Sequence, residues 1–279
     1  MLKGKPFVKW AGGKRQIIDK LMKFVPDEFD TYYEPFIGGG SMALHMLQNL
    51  PNTNFFSFND KDFGIFAIWQ SIKICPERLI EKVKEFKPSI ESYREIKKSL
   101  PSMFEKEKCA YDILSDIALS KIAIHQTSYS GLGLKGGPLG GFAQTGQYKI
   151  DSRWNAETLV KNINKIHKFF NEKDIVLHNE DFYTYLRTGS AFDGSENDLI
   201  YCDPPYYTVG DQLYAETMTE EEHIQLKELL CRCNPHCFIS YDDCDFIRNL
   251  YGDYEIIEVN TNYTLTNKGK NKELLIFLK

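Results

Sequence analysis

Short apolar runs alternate with amphipathic stretches along the first part of this chain. Thr31 to Glu34 and Phe55 to Phe58 are rich in β-forming residues, whereas Met42 to Leu50 and the stretch from about Asp62 to Lys73 carry apolar residues at helical spacing. Ser41 stands where the N-cap of the first helix is expected. The order strand, glycine-rich turn, helix, strand predicts a nucleotide-binding α/β sheet.

Residues 76 to 154 interrupt this alternation. The part up to Ser128 has helical spacing throughout, with Pro76 and Pro101 as interruptions, and a glycine-rich segment poor in β-forming residues follows up to Gly141. We therefore predict a helical insertion between the second and third strands of the sheet.

Strands and helices alternate again from about Asn155. Strands are predicted at Ile175 to His178, Asp198 to Cys202, Cys237 to Tyr241, Tyr254 to Val259 and Glu273 to Leu278, with helices at Asn155 to Phe170 and Thr219 to Cys231. The short polar loop Asn267 to Asn271 favours an antiparallel final pair of strands. The chain is thus predicted to form one catalytic domain from residues 1–75 and 155–279, with residues 76–154 as the inserted unit.

The composition fits one globular catalytic chain of this kind. Hydrophobic residues make up 42% of the 279 positions, and a formal net charge of −5 argues against a histone-like DNA protein while permitting an enzyme with local basic patches. The N-terminus lacks the apolar run of a signal peptide, and no window approaches the roughly 18 apolar residues that span a bilayer. We expect a cytoplasmic protein that does not enter the membrane.

Four of the seven cysteines lie close together in sequence, at positions 231, 233, 237 and 244, with His236 between them. Their spacing matches no zinc pattern, and they straddle a predicted helix end and a predicted strand. Without a secretion signal they are best interpreted as reduced, mostly buried thiols. No metal site is predicted.

A glycine-rich turn is the first candidate ligand site. Gly38, Gly39 and Gly40 let the backbone approach a ligand closely, and Asp60 follows twenty residues after the last of them. A carboxylate at this distance suits the hydroxyls of a ribose. The glycines do not form Gly-x-Gly-x-x-Gly, which argues against a dinucleotide. Alone, the turn does not separate NAD from S-adenosylmethionine (AdoMet), and it is also compatible with a tight turn beside a solvated acid.

A second candidate lies near the N-terminus, where Phe7 to Arg15 reads FVKWAGGKR. Lys9, Trp10 and Lys14 surround a Gly-Gly turn. The P-loop pattern is absent, because Arg15 occupies the position where that pattern requires Ser or Thr. From the residues alone, an ordered N-terminal arm that covers the core with Trp10 explains the segment as well as a ligand site does.

The third candidate follows the predicted strand Asp198 to Cys202, which ends in Asp203-Pro204-Pro205-Tyr206. The carboxyl edge of such a sheet is where α/β proteins bind ligands. Two prolines remove two amide donors, so acceptors dominate: the Asp203 carboxylate and the nearby carbonyls. Such a site suits a substrate that presents an NH2 group, and Tyr206 offers a flat face for a planar base. A purely structural Asp-Pro-Pro turn is the alternative.

Taken together, these motifs resemble one family. Lys9-Trp10-Ala11-Gly12-Gly13-Lys14, then Glu34-Pro35-Phe36-Ile37-Gly38-Gly39-Gly40-Ser41, then Asp203-Pro204-Pro205-Tyr206 resemble the Dam-type DNA adenine N6-methyltransferases. The resemblance runs from Phe7 to the end of the chain. It implies an α/β class I AdoMet-dependent methyltransferase fold, which is a Rossmann-like, mostly parallel seven-stranded sheet with an antiparallel last strand, carrying a helical DNA-recognition insertion. It also implies AdoMet as the cofactor and adenine in double-stranded DNA as the substrate.

The resemblance assigns roles to particular positions. It places in the cofactor pocket Lys9, Trp10, Lys14, Pro35, Phe36, Gly38, Gly39, Gly40, Ser41, Asp60, Asp181 and Phe182. Asp60 would accept hydrogen bonds from the ribose hydroxyls, Asp181 would bind the adenine amino group of the cofactor, and Asp203 to Tyr206 would hold the target adenine. Where family members carry an Asn-Arg and Phe-Asn-Gly signature, this chain reads IHQTSYSG from Ile124 to Gly131. That departure leaves the usual GATC target open.

DNA contacts are expected from basic and polar residues around the glycine-rich segment. Phosphate contacts are assigned to Lys135, Lys149 and Arg153, and base contacts or stacking to Gln126, Tyr129 and Gln144. A second basic cluster, with Lys268, Lys270 and Lys272, lies in the last loop. Solvated surface charges are the alternative for each lysine.

The expected mechanism is base flipping followed by direct in-line methyl transfer, with no covalent enzyme intermediate. Cys202 is therefore interpreted as a strand residue and not as a nucleophile. Rival substrates are the cytosine amino group, an RNA base and a protein amide, and rival classes are a catalytically silent DNA-binding module and a dehydrogenase. A cognate restriction endonuclease is the one protein partner considered, and no obligate partner is expected.

Overall fold

Seven strands form one sheet in the computed structural model, which describes residues 5–10, 12–26, 28–50, 52–53, 55–105, 111–188, 191, 193–208, 210, 217–261 and 271–278. The strands are β1 (Thr31–Glu34), β2 (Phe55–Asn59), β3 (Asp174–His178), β4 (Leu199–Cys202), β5 (His236–Asp242), β6 (Glu255–Thr261) and β7 (Asn271–Phe277). Their order is β3-β2-β1-β4-β5-β7-β6, and β7 is antiparallel to both of its neighbours while the other pairs are parallel. The predicted fold class is confirmed.

Ten helices accompany this sheet in the described part of the chain. They are α1 (Ile18–Leu21), α2 (Ser41–Asn49), α3 (Phe63–Ile74), α4 (Pro76–Glu85), α5 (Ile90–Glu105), α6 (Tyr111–Thr127), α7 (Ala156–Glu172), α8 (Phe182–Thr188), α9 (Glu220–Arg232) and α10 (Asp245–Leu250). Short 3-10 turns lie at Lys14–Gln16, Tyr129–Gly131 and Gly133–Lys135. The sequence pattern missed α1, α8 and α10, because elements of four to seven residues carry too few turns to show a period.

The helix starts show where local sequence signals succeed. Asp62 is the N-cap of α3 and accepts hydrogen bonds from two backbone N–H groups, and Thr219 forms a capping box with Glu222 at α9. Ser41 is different: it is the first residue of α2, the N-cap is Gly40 in the left-handed region, and the Ser41 hydroxyl makes no cap. The prediction of Ser41 as N-cap was therefore wrong.

Alternate residues of the central strand serve the two faces of the sheet. Tyr32 packs in the core on one face, with Phe56, Phe58 and Trp69, whereas Tyr33 packs in a separate core on the other face. Since β1 lies between β2 and β4, the chain reverses its winding direction there. The carboxyl ends of β1 and β4 therefore border the crevice in which α/β sheets bind ligands.

The helices of the predicted insertion share the larger of these cores. Leu79, Val83, Leu100 and Ile122 belong to the same cluster as Tyr32, and α6 packs on α3. The glycine-rich segment is tied to this unit, because the Tyr93 hydroxyl and the Lys97 ammonium both donate to the Gly136 carbonyl, at 2.7 and 2.8 Å. The division into two domains stays a prediction.

The described residues contain neither a membrane-spanning helix nor a cluster of metal-ligating side chains. No helix in the described ranges is long and apolar enough to cross a bilayer. Within the same ranges, no three His, Cys, Asp or Glu side chains are grouped as metal ligands would be.

Candidate active site

A cavity opens where the glycine turn, the N-terminal segment and the end of β4 meet. Eleven of the twelve predicted cofactor residues line its wall: Trp10, Lys14, Pro35, Phe36, Gly38, Gly39, Gly40, Ser41, Asp60, Asp181 and Phe182. Asp203 and Pro205 line it as well, so the cofactor motif and the DPPY motif share one space. Residues of the predicted insertion complete the wall, among them Lys121, His125 and Leu132.

The glycine turn approaches two tryptophan rings closely. Gly40 has φ of +70°, and a Cβ there would lie 2.5 Å from the Trp69 ring, while a Cβ on Gly39 would lie 2.9 Å from Trp10. The Trp69 indole N–H also donates to the Gly38 carbonyl at 3.1 Å. Glycine is required here both by the left-handed backbone and by the lack of room for any side chain.

Asp60 is held by backbone donors at the end of β2. Its two oxygens accept from the N–H groups of Gly38, at 2.8 Å, and Asp62, at 2.9 Å. Burial, together with the neighbouring Asp62 carboxylate, raises the pKa of Asp60 to about 7. Each carboxylate oxygen has a second lone pair, so Asp60 can still accept from a ligand hydroxyl.

Asp181 has a structural task that the sequence did not predict. Its oxygens accept from the Thr184 N–H at 2.9 Å and the Thr184 hydroxyl at 2.8 Å, which caps the start of α8. Although partial burial opposes ionisation, these hydrogen bonds lower the pKa of Asp181 below its usual range. The fixed, ionised carboxylate lines the cavity and has further acceptor capacity.

The buried ammonium of Lys14 lies at the chemical centre of the site. It is 2.6 Å from Asp203 Oδ1 and 3.2 Å from Glu273 Oε1, and it donates to the Gly12 carbonyl and the Tyr206 hydroxyl, each at 2.9 Å. Burial opposes its charge, but the two carboxylates raise the pKa of Lys14 well above its ordinary value. Lys14 therefore binds the DPPY carboxylate and is not reserved for the cofactor.

One carboxylate oxygen of Asp203 is hydrogen-bonded within the protein, and the side chain also lines the cavity. Oδ1 accepts from Lys14 and from the Ser240 hydroxyl at 3.0 Å, and 20% of the side chain is exposed, toward the cavity. Burial raises the pKa of Asp203, and the Lys14 ammonium and these hydrogen bonds work against that rise. Oδ2 is thus the oxygen available to accept an N–H from a substrate.

The Tyr206 hydroxyl has partners that the sequence did not predict, whereas stacking of its ring on a base stays a prediction. The side chain is buried, and its hydroxyl donates to Glu273 Oε1 at 2.5 Å while accepting from Lys14. Among the described residues that line the cavity, Pro205 is present and Tyr206 is not. Pro204, also buried, lies outside this lining. The Tyr206 hydroxyl therefore ties the end of the DPPY motif to Lys14 and Glu273.

Lys9 is the one predicted cofactor residue that does not line the cavity. Its backbone lies against Gly131, and partial burial and the nearby Arg153 guanidinium lower the pKa of Lys9. The side chain belongs to the surface between the N-terminal segment and the insertion. Sequence position alone does not reveal this, since Lys9 and Lys14 flank the same Gly-Gly turn.

Several of the predicted DNA-binding residues in the insertion already have partners. The Gln144 amide donates to two carbonyls of its own loop and accepts from the Ile150 N–H, Lys149 donates to the Gln144 carbonyl, and Arg153 donates to the Ser128 carbonyl at 3.1 Å. Tyr129 and Lys135 are exposed, and Gln126 is half-buried. Lys268 and Lys270 lie outside the described residues.

Sequence reasoning missed several residues around the site. Glu273 and Ser240 contact Lys14 and Asp203 from β7 and β5, and His125 stacks on Trp10 with ring centroids 4.7 Å apart. A charged residue at the start of an otherwise apolar strand was the only signal for Glu273. Nearby in the insertion, Phe142 and Tyr148 are exposed aromatic side chains that the pattern did not single out.

The family model for the D12 class N6 adenine-specific DNA methyltransferases matches residues 10–265. The chain belongs to this family. It is an adenine-specific DNA methyltransferase, as the motifs predicted.

Curated relatives match over nearly the full length. The type II methyltransferase M.CviBI of Paramecium bursaria Chlorella virus NC1A is 24% identical, covering 93% of this chain and 91% of its own. The type II methyltransferase M.MjaIII of Methanocaldococcus jannaschii is 26% identical, covering 96% of this chain and 95% of its own. The DNA adenine methylase of Escherichia coli K12 is 23% identical, covering 100% of this chain and 97% of its own. Among solved structures, the rRNA methyltransferase aviRa of Streptomyces viridochromogenes aligns with a TM-score of 0.37 at 15% identity, covering 94% of this chain and 82% of its own.

Proposed function

We propose that this chain methylates adenine N6 in double-stranded DNA by flipping the base into the cavity and holding its amino group on Asp203, with AdoMet as donor. The observation that carries this is the fixed Asp203 carboxylate, which is anchored by Lys14 through Oδ1 and borders the cofactor cavity. Adenine presents the NH2 donor that such an acceptor site needs.

The charge balance of the cavity supports a cationic cofactor. Six acidic side chains and three lysines line it, and two of those lysines, Lys14 and Lys121, are paired with Asp203 and Asp62. Burial raises the pKa of Glu34 and of Asp60, so the excess of ionised carboxylates is smaller than this count. The remaining excess suits a sulfonium cofactor better than the pyrophosphate of a dinucleotide, which argues against a dehydrogenase. AdoMet supplies an electrophilic methyl group at this position.

Separate residues fit separate parts of AdoMet. Asp60 is the acceptor for the ribose hydroxyls, Asp181 for the adenine amino group, and the aromatic side chains of Trp10, Phe36 and Phe182 provide apolar walls. The backbone of the glycine turn lines the cavity beside these aromatic side chains and is accessible to the cofactor.

The chain acts on the target by orientation and charge. The amino nitrogen of adenine is a poor nucleophile because its lone pair is delocalised into the ring. Asp203 Oδ2 would accept one of its hydrogens, which favours a pyramidal nitrogen and offsets the positive charge that develops on it. The Pro204 carbonyl would accept the other only if the entering base uncovers it, since Pro204 lies outside the lining of the cavity. In a direct transfer the N6–methyl bond would form as the methyl–sulfur bond breaks, the thioether S-adenosylhomocysteine would leave, and N6 would release its surplus proton to Asp203 or to solvent. Such a step gains most from positioning, and no enzyme-bound intermediate is required.

Base flipping supplies access to the target. An amino group inside a duplex cannot reach Asp203, and extrusion of the base costs a few kcal/mol. Cys202 is unsuited to covalent catalysis, because it is fully buried in β4 and burial raises the pKa of its thiol well above the ordinary value.

The exposed loop of the insertion is the proposed DNA surface. Lys135, Phe142 and Tyr148 are exposed there, and the Arg94 guanidinium lies 5.3 Å from the centre of the Phe142 ring. Aromatic faces with lysine and arginine between them suit stacking on bases and contact with phosphates. Gln144, Lys149 and Arg153 contribute to this surface chiefly by holding the loop in shape.

Neutralising Lys135 is expected to weaken DNA binding and to reduce the salt dependence of that binding. One lost phosphate contact lowers the slope of log K against log salt by about 0.9. Fluorescence anisotropy with a fixed duplex from 50 to 300 mM salt measures this for Lys135→Ala. Lys168→Ala, an exposed residue on α7, is the matched control. An unchanged slope in the Lys135 variant rules out its phosphate contact.

The function is tested by incubating the protein with AdoMet and unmethylated genomic DNA and mapping modified bases by direct sequencing. N6-methyladenine at one short motif supports the proposal and identifies the recognition sequence. Methylcytosine, or no modification while AdoMet binds, contradicts it. Relatives named as type II methyltransferases and as DNA adenine methylases both align, so a restriction endonuclease partner stays a prediction.

A further inference from the structure

Glu273 is a buried acid that the proposed chemistry does not use directly. It lies on β7 opposite Asp242 of β5, and its side chain is 2% exposed. Oε1 accepts from the Tyr206 hydroxyl at 2.5 Å and lies 3.2 Å from Lys14 Nζ, whereas Oε2 is buried with no partner among the described residues. A buried carboxylate is costly, so its persistence at this position requires a compensating interaction.

The contacts of Glu273 all lead toward Asp203. Glu273 is absent from the described lining of the cavity, so it does not touch the ligands. Lys14, which it shares with Asp203, is itself bonded to Tyr206, and Tyr206 ends the DPPY motif that begins at Asp203. Glu273 thus contacts Tyr206 directly and reaches Asp203 through Lys14, from a strand two places away from β4 in the sheet.

We propose that Glu273 is a positioning residue for methyl transfer, which holds Tyr206 and Lys14 in place so that Asp203 accepts from the target amino group. This inference rests on the proposed function of Asp203. Glu273 orients the groups that orient the substrate and has no contact with the reacting atoms. Misplacement of such groups by about 1 Å costs on the order of 100-fold in rate.

The same arrangement links Glu273 to the pH dependence of the reaction. Burial, and then the nearby Asp203, raise the pKa of Glu273, while Lys14 lowers it. The carboxylates of Asp203 and Glu273 share the Lys14 ammonium. If Glu273 loses its charge, Lys14 pairs with Asp203 only and the repulsion between the two carboxylates disappears, so the pKa of Asp203 falls. The titratable groups closest to Glu273 are Lys14, Asp203 and Tyr206. Tyr201 and Glu34 lie around Lys14 and Asp203.

Glu273→Gln keeps the shape of the side chain and removes its charge. We expect kcat to fall about 10- to 100-fold, with KM for DNA and the Kd for AdoMet within about threefold of wild type. The acid limb of the kcat–pH profile should move to lower pH. If Glu273 served only to stabilise the fold, Glu273→Gln would lower the amount of active protein and would leave the acid limb of the kcat–pH profile unchanged.

A double-mutant cycle tests whether Glu273 acts through the Tyr206 hydroxyl. Tyr206→Phe removes the hydroxyl without altering β7, and it keeps the test possible if Glu273→Gln does not fold. We expect Tyr206→Phe to lower kcat by a similar factor, and Glu273→Gln to cost much less in that background than in wild type. The proposal is overturned if the losses in kcat of the two single variants simply add in the double variant and the acid limb of the kcat–pH profile does not move. It is also overturned if both single variants keep the wild-type kcat.

Glu258→Gln is the matched control. Glu258 lies on the neighbouring strand β6, where its exposed carboxylate pairs with Arg248 and Lys272 far from Asp203. We expect wild-type kcat and an unchanged pH profile in this variant. The wild-type assay separates the two levels of inference: no methylation of adenine by wild type contradicts the proposed function, whereas active wild type with unaffected Glu273 and Tyr206 variants contradicts only the positioning role.

Discussion

Replacing Asp203 with alanine is expected to abolish methyl transfer while AdoMet still binds within about threefold of wild-type affinity. In the proposed mechanism Asp203 supplies the acceptor that orients the amino group and offsets its developing charge, and loss of one such preorganised group costs about 100- to 1,000-fold. The proposed cofactor contacts lie on other elements, at Asp60 just after β2 and Asp181 just before α8. Methyl incorporation into DNA and calorimetric titration with AdoMet measure the two properties.

Asp203→Asn sharpens this test. The amide retains one acceptor oxygen and the side-chain volume, so its residual rate isolates the contribution of the negative charge. Asp174→Ala, an exposed acid at the start of β3, is the control for general effects of removing a carboxylate. Turnover above one tenth of the wild-type rate in Asp203→Ala is incompatible with the proposed role, and loss of AdoMet binding would move Asp203 to the cofactor site.

Replacing Lys14 with methionine is expected to lower kcat at neutral pH at least 100-fold and to destabilise the fold. The substitution leaves Asp203 and Glu273 buried without their shared cation, and breaking a buried ion pair typically costs about 3–5 kcal/mol. Without Lys14 the pKa of Asp203 rises further, because burial and the nearby Glu273 carboxylate are then opposed only by the Ser240 hydrogen bond. A larger fraction of Asp203 is then protonated at a given pH, and the protonated oxygen no longer accepts from the amino group.

The direction of the pH effect distinguishes this explanation from simple misfolding. A carboxyl whose folded-state pKa is raised above its unfolded value binds more protons when folded, so stability falls as pH rises through the interval between the two values. In Lys14→Met the acid limb of kcat should therefore move to higher pH, while the melting temperature should drop further below wild type as the pH increases. Both are measurable on the same protein between pH 5 and 9.

Lys121 provides a matched control for Lys14. It is equally buried and pairs with Asp62, the N-cap of α3, on the cofactor side of the cavity. Lys121→Met should also destabilise the protein and weaken AdoMet binding, but it should leave the acid limb of kcat in place. If Lys14→Met and Lys121→Met move the acid limb of the kcat–pH profile by the same amount, Lys14 does not act on Asp203.

The outline of the fold followed from local patterns in the sequence. Each strand of the sheet was predicted within a few residues, because apolar strands bounded by turns and amphipathic helices of ten or more residues carry a clear period. The glycine turn and the DPPY motif were also found, since both depend on residues that are adjacent in the chain. Ser41 was misassigned as an N-cap because the Gly40 backbone conformation that starts the helix is set by packing against Trp69.

What the sequence by itself determined was the fold class, the cavity residues close to each motif and the family. What only the tertiary structure decided was which charges meet. Lys14 and Tyr206 are 192 residues apart, and Tyr206 and Glu273 are 67 apart, so no local pattern links them. The sheet order places β7 beside β5 and one strand away from β4, which brings Glu273 to the back of the DPPY motif. Burial then converts these long-range neighbours into strong electrostatic partners, because charges interact far more strongly where water is excluded.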